Sequence, residues 1–185
     1  MRRLLLGGAI TVLGLALAAY FLLLRDTTLE PRLRDAAPTS VIGSGEDAVG
    51  VSATGVLLVS LPAPEDGTLP ALPLAVPPDG GRLSGPALEQ ARVLGAAPAA
   101  LRPCIEGSRY GESGVDIELR SGIELRFGNA SRAGEKWSSA MAVLAEPSIT
   151  ALDYVDLHAP ARPTVGGEGH VLPPAEEAAG GRCGA

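Results

Sequence analysis

The sequence predicts an α+β fold: one N-terminal transmembrane helix followed by a small extracytoplasmic mixed domain with a β-hairpin, covering helices and a C-terminal edge strand. Three stretches carry that reading. "LLLGGAITVLGLALAAYFLLL", residues 4–24, contains no charge. "VDIELRSGIELRF", residues 115–127, alternates apolar and charged residues on both sides of a turn. "YVDLHAPARP", residues 154–163, favours an extended chain and then runs into Pro160 and Pro163.

The uncharged stretch would form a helix about 31 Å long, the thickness of a bilayer's hydrocarbon core. A cleaved signal peptide is the alternative, with Arg2 and Arg3 as its basic start and Ala16-Leu17-Ala18 as its cleavage triplet. The length of the apolar run, and the "AYFLLL" that cleavage would leave behind, favour an anchor. Either way the bulk of the chain is exported. Residues 1–3 are then a cytoplasmic stub, 4–24 the span and 25–37 a charged linker. Residues 38–165 are the folded domain. Residues 166–185, made mostly of Gly, Pro, Ala and Glu, read as a disordered tail.

A net charge of −6 argues against nucleic acid or anionic lipid as the main partner. Outside the span the aromatic residues are Tyr110, Phe127, Trp137 and Tyr154, so the core has to be mainly aliphatic. The two cysteines, Cys104 and Cys183, would be free to bridge in an oxidising compartment. Because Cys183 falls in the expected mobile tail, two unpaired thiols are the expectation.

Along the domain, "TSVIG" (39–43) and "DAVGVSA" (47–53) read as strands, and "VLLVSL" (56–61) as a third after a turn at Thr54-Gly55. The proline-rich stretch 62–82 reads as an irregular connection. Pro86 can open a helix, where a missing N–H costs nothing. Leu88, Ala91, Val93, Leu94 and Leu101 continue a loose amphipathic pattern that Gly95 and Pro98 interrupt.

The hairpin register follows from matching faces. A two-residue loop would set Leu119 against Glu124. A three-residue loop, Arg120-Ser121-Gly122, sets Leu119 against Ile123, Ile117 against Leu125 and Val115 against Phe127, so that all six apolar residues share one face. Such a loop needs a left-handed last residue, and Gly122 stands there. The cover for that face is a helix from Ala133 to Ala145 with Trp137, Ala140, Met141 and Leu144 on one stripe, ended by Pro147. Trp137 is therefore a core residue. The strand 149–157 completes the unit.

The sequence holds little catalytic chemistry. His158 and His170 are its only histidines, and it contains no HExxH or CxxC pattern, nucleophile elbow or phosphate-binding glycine loop. Asp153 and Asp156 would point to opposite faces of a strand. Glu118 and Glu124 fall on the solvated face of the hairpin. No enzymatic activity, metal or cofactor is expected, which leaves a binding module.

The order "VGVSATGVLL", "LPALPL", "IELRSGIELRFG", a helix carrying "EKW", then "YVDLHAPARPTV" and "LPP" resembles the C-terminal β-domain of the FtsQ/DivIB cell-division family. The resemblance covers residues 38–165 and the anchor. It implies a bitopic plasma (inner) membrane protein at the division septum, binding FtsB/DivIC-type and FtsL-type partners by strand addition rather than catalysing a reaction. Family members carry a POTRA domain between span and β-domain, and the linker 25–37 is too short to fold one. A shortened remnant of the family, or an exported binding module with another protein partner, are the alternatives.

On this reading the strand from Tyr154 is the sheet margin that receives a partner. Pro160 and Pro163 have opposite parity, so the missing N–H of one of them faces the incoming strand and limits its register. The candidate partner contacts are Tyr154, Asp156, His158, Ala159, Arg162 and Val165. Arg109, the basic residue ahead of the hairpin, is added from the family. The plainer reading makes 154–157 an inner strand that the prolines end.

Overall fold

The computed structural model describes residues 37–62, 64–65 and 67–170. The expected stub, span and linker lie outside them, and so do Cys183 and residues 171–185. Among the described residues no helix is long and apolar enough to cross a membrane.

Two sheets share one core. The smaller pairs β1 (Pro38–Ile42) with β2 (Val49–Ser52), antiparallel. The larger has five strands in the order β3-β4-β5-β6-β7: β3 (Ile105–Gly111), β4 (Gly114–Leu119), β5 (Glu124–Gly128), β6 (Tyr154–Asp156) and β7 (Thr164–Gly166). Helices α1 (Gly85–Gly95) and α2 (Ala133–Leu144) supply the apolar cover. The expected third strand at 56–61 is corrected to isolated bridges, Val51 with Leu57 and Val56 with Arg82. Pro62 and Pro64 follow at once and cannot donate to a ladder.

The hairpin register holds at its turn. Leu119 N–H donates to Ile123 O (2.9 Å), Ile117 faces Leu125, and Gly122 takes φ 86°. All six apolar residues are buried. The far end departs: a bulge between Val115 and Asp116 sets Val115 against Gly128 instead of Phe127. A bulge adds twist without moving the apolar residues off their face.

Pro86 stands in the first turn of α1, and Ala91, Val93 and Leu94 are buried along it. Gly95 closes the helix where a Cβ would come within 2.5 Å of Ala53, so the glycine allows the helix end to pack on the turn after β2. On α2, Trp137 is buried; its indole N–H donates to Val93 O (2.8 Å) and its ring lies 4.9 Å from that of Phe127. Met141 is corrected from stripe to surface, at 38% exposed. The buried stripe is Ala133, Lys136, Trp137 and Ala140. A lysine hid this shift in the sequence. The Lys136 ammonium donates to Phe127 O (2.7 Å) and Asn129 O (3.0 Å), and burial followed by the nearby Arg132 charge pulls its pKa below the ordinary value.

Cys104 is disulfide-bonded, which corrects the expectation of unpaired thiols. The expected disordered tail is corrected at its start. Gly166 ends β7, the Gly169 N–H donates to Asp153 Oδ1 (2.9 Å), and Leu152 N–H donates to His170 O (2.9 Å).

Candidate partner-binding edge

The strand from Tyr154 is not a margin. β6 pairs parallel with β5 through Leu125 and Val155, and antiparallel with β7 through Val155 and Val165. This corrects the expectation that β6 offers an open side, and the plainer reading of residues 154–157 holds. The two prolines fall in the return between β6 and β7. Pro160 is buried and its carbonyl accepts from Ser139 Oγ (2.7 Å), which fastens the return to α2. The chain then doubles back, and the margin is β7.

The direction of each main-chain group follows from the ladder. Glu124 N–H donates to Asp153 O and Leu157 N–H to Arg126 O, both at 2.9 Å. Successive residues of a strand turn their groups to alternate sides. Val155, which lies between those two bonds, therefore faces β5, while Tyr154 and Asp156 face β7. Their partners Gly166 and Thr164 face back. Val165 is left with its N–H and C=O directed outward, and among the described residues no strand takes them. Pro163 shares that parity and has no N–H, so the margin offers Val165 as its first outward donor. The Val165 side chain is 43% exposed although its partner Val155 is buried, because it lies at the rim of the covered face.

The other face of the sheet carries charge. Arg109, Asp116, Arg126, Asp156 and Thr164 stand opposite one another in a row across the five strands. Beside them runs the row Gly107, Glu118, Glu124, Tyr154 and Gly166. Arg109 pairs with Glu124 and lies 3.6 Å from Asp116; Arg126 Nε lies 2.5 Å from Glu124. Burial alone would raise the Glu124 pKa, but the Arg126 and Arg109 guanidinium groups outweigh it and bring it below the ordinary value. Asp116 goes the other way. Burial and the Glu124 charge push its pKa up against the pull of Arg109 and Arg126.

Arg126 stacks 3.8 Å from the Tyr154 ring centroid. That ring leans over Gly166, where a Cβ would come within 2.6 Å of the phenol oxygen. The missing side chain on β7 thus lets Tyr154 reach toward the margin. Asp156 Oδ1 accepts the His158 N–H (2.9 Å) and sits 2.8 Å from His158 Nδ1. Burial would raise the Asp156 carboxyl, but these bonds win and its pKa lies below the ordinary value.

Among the candidate contacts, Tyr154, Asp156, Ala159, Arg162 and Val165 gather on the β6–β7 hairpin, with Arg162 N–H closing on Ala159 O (2.8 Å). His158 follows on the same return and stays exposed, its Nε2 3.3 Å from Ser113 O and its ring over Gly128. Arg109 sits on β3, at the opposite margin. The sequence reading missed Thr164 and Gly166 as strand residues. The available signal was the β-branched pair Thr164-Val165 directly after a proline-bounded turn.

The family described as "Cell division protein FtsQ/DivIB, C-terminal" matches residues 41–158, more than half of the chain. The chain belongs to the FtsQ/DivIB family of cell-division proteins. Membership implies a role in cell division and association with the division septum. No curated protein matches the chain. The family match ends at His158, so β7 lies beyond it.

Proposed function

We propose that this chain is a non-enzymatic scaffold of the divisome, held to the plasma membrane by residues 4–24 and receiving an FtsB/DivIC-type or FtsL-type partner by strand addition at β7. The observation that carries the proposal is the outward-facing N–H and C=O of Val165 on a strand that ends the sheet. Main-chain bonds to that residue supply attraction, and neighbouring side chains supply specificity. Tyr154 over Gly166, with Arg162 and Ala159 at the turn, would meet the side chains of an added strand. Asp156 holds the return in shape through His158. Arg109 contacts a partner only where that partner continues across the charged face.

The test is co-purification of the full chain with FtsB- and FtsL-type proteins, wild type against Val165→Pro. Proline at 165 removes the outward donor and leaves the β6–β7 ladder its own bonds. It also holds Thr164 in the extended region that β7 already uses. Recovery should fall about tenfold or more, the value of roughly one buried main-chain hydrogen bond. Val165→Ala, which keeps the N–H, should recover most of the partner. Equal recovery with Val165→Pro would contradict strand addition there.

A further inference from the structure

We infer that His158 is a pH-sensitive tie: its charged ring joins the return after β6 to the β3–β4 turn, and the neutral ring releases that turn. Both ring nitrogens face acceptors. Nδ1 lies 2.8 Å from Asp156 Oδ1, and Nε2 lies 3.3 Å from Ser113 O. The ring rests on Gly128, where a Cβ would come within 2.6 Å of its Cδ2 and 2.7 Å of its Nε2. A side chain at 128 would lift the ring off both partners. His158 thus spans three neighbours: its own return, the last residue of β5, and the turn at Ser113 on the far side of β5.

A carbonyl oxygen and an ionised carboxylate can only accept. An imidazolium ring donates from both nitrogens and satisfies both. A neutral ring has one N–H and one lone pair, so one acceptor loses its donor. The carboxylate is the stronger acceptor, so the remaining N–H stays on Nδ1. Nε2 gives its proton to water and turns a lone pair toward Ser113 O, which repels it. The His158 main-chain N–H donates to the same carboxylate in either state (2.9 Å), so the return keeps its shape and only the turn is released. Histidine changes charge between about pH 5 and pH 8. Asp156 stays ionised through that range: burial would raise its carboxyl, but the bonds from His158 hold its pKa below the ordinary value. The surrounding charges come from three elements. Asp116 on β4 attracts the charged ring, while Arg126 on β5 and Lys136 on α2 compete for Asp156.

The role of the tie follows from what hangs on the return. β6 and β7 have three residues each, and among the described residues β7 pairs with no strand but β6. Fastening the return to the β3–β4 turn limits the opening of this terminal hairpin below neutral pH. Release of the turn loosens the hairpin above it. The ring is about half exposed, so the effect is modest. The inference stands independently of the partner reading.

The full chain, isotopically labelled, should be titrated by NMR from about pH 5 to pH 8. The Ser113 carbonyl shift should move with the same midpoint as the His158 ring. Protection of the inward-facing Thr164 amide, its exchange measured against an unstructured chain at the same pH, should fall about twofold or more across that range, with Ile117 and Leu125 unchanged. His158→Gln should flatten both responses, and His170→Gln should leave both in place. A Ser113 carbonyl that does not follow the His158 ring would overturn the tie. So would a Thr164 response that persists in His158→Gln or vanishes in His170→Gln. Because no partner is present in any arm, failure here leaves strand addition to its own test.

Discussion

The sheet has two outer margins, and they are built differently. β3 runs seven residues and is paired along its length with antiparallel β4. β7 runs three and is held by a strand whose other side makes a short parallel ladder. Their outward groups also differ. Leu119 N–H donates to Ile123 O, so Asp116 and Glu118 turn toward β3 and their partners Arg109 and Gly107 face inward. Ser108 and Tyr110 are left facing out. Around them β3 carries Glu106, Arg109 and the adjacent Glu112, and charge on an edge opposes pairing with another strand. The three residues of β7 carry none, and Val165 is exposed there. The long margin is guarded by charge; the short one is limited by Pro163 and, among the described residues, is otherwise open. Openness at the weaker margin is what a reversible binding edge requires, since local opening is easiest where few bonds hold the chain.

The largest test of this contrast removes what the two margins share. Trp137→Ala should cost about 3–5 kcal/mol in denaturant unfolding, and amide protection should fall in β3 and β7 together. Protection that survived at β3 alone would mean that the sheet is not one cooperative unit. Lys136→Ala comes next, at about 2–3 kcal/mol. It leaves Phe127 O and Asn129 O without their donor, and Phe127 is the next-to-last residue of β5, the strand on which β6 rests, so hydrogen exchange should rise more at β7 than at β3.

Acid should separate the margins further. The Asp156 pKa in the fold lies below its ordinary 3.8. Its contribution is therefore fully present above that value and is lost as pH falls through the folded pKa. As pH falls below about 4, exchange at the β6–β7 return should quicken ahead of that at β3, and Asp156→Asn should flatten the response. The smallest effect belongs to the guarded margin. Arg109→Ala removes a half-exposed ion pair and should change unfolding stability by less than about 1 kcal/mol, with partner recovery unchanged within twofold.

Much of this was legible before any coordinates. The alternation in 115–127 specified the central hairpin, its three-residue turn and the need for Gly122, because a one-residue slip would expose its whole apolar face. The Trp137 helix was equally clear, since a stripe at helical spacing needs a sheet to cover. Met141 and Lys136 exchanged roles because the lysine buries its length and satisfies its ammonium on main-chain carbonyls, which no hydropathy pattern reveals. The edge was misplaced by one strand. Tyr154, Val155 and Leu157 favour a strand strongly, but β7 has only Thr164 and Val165 to announce it, and three residues leave no period to detect. Cys104 was misjudged because a disulfide depends on which side chains meet in space, and composition does not carry that. Strand β3 was missed because Gly107, Ser108 and Gly111 dilute its pattern.

The most direct measurement sets the two margins against each other. Tyr110 and Val165 each direct an N–H outward, and both are partly exposed, at 48% and 43%. Full-length Val165→Pro and Tyr110→Pro should each be titrated against the same FtsB-type partner beside wild type. Affinity should weaken about tenfold or more for Val165→Pro and change by less than about twofold for Tyr110→Pro. Loss of binding in Tyr110→Pro, with Val165→Pro matching wild type, would place the partner on β3 and rule out strand addition at β7.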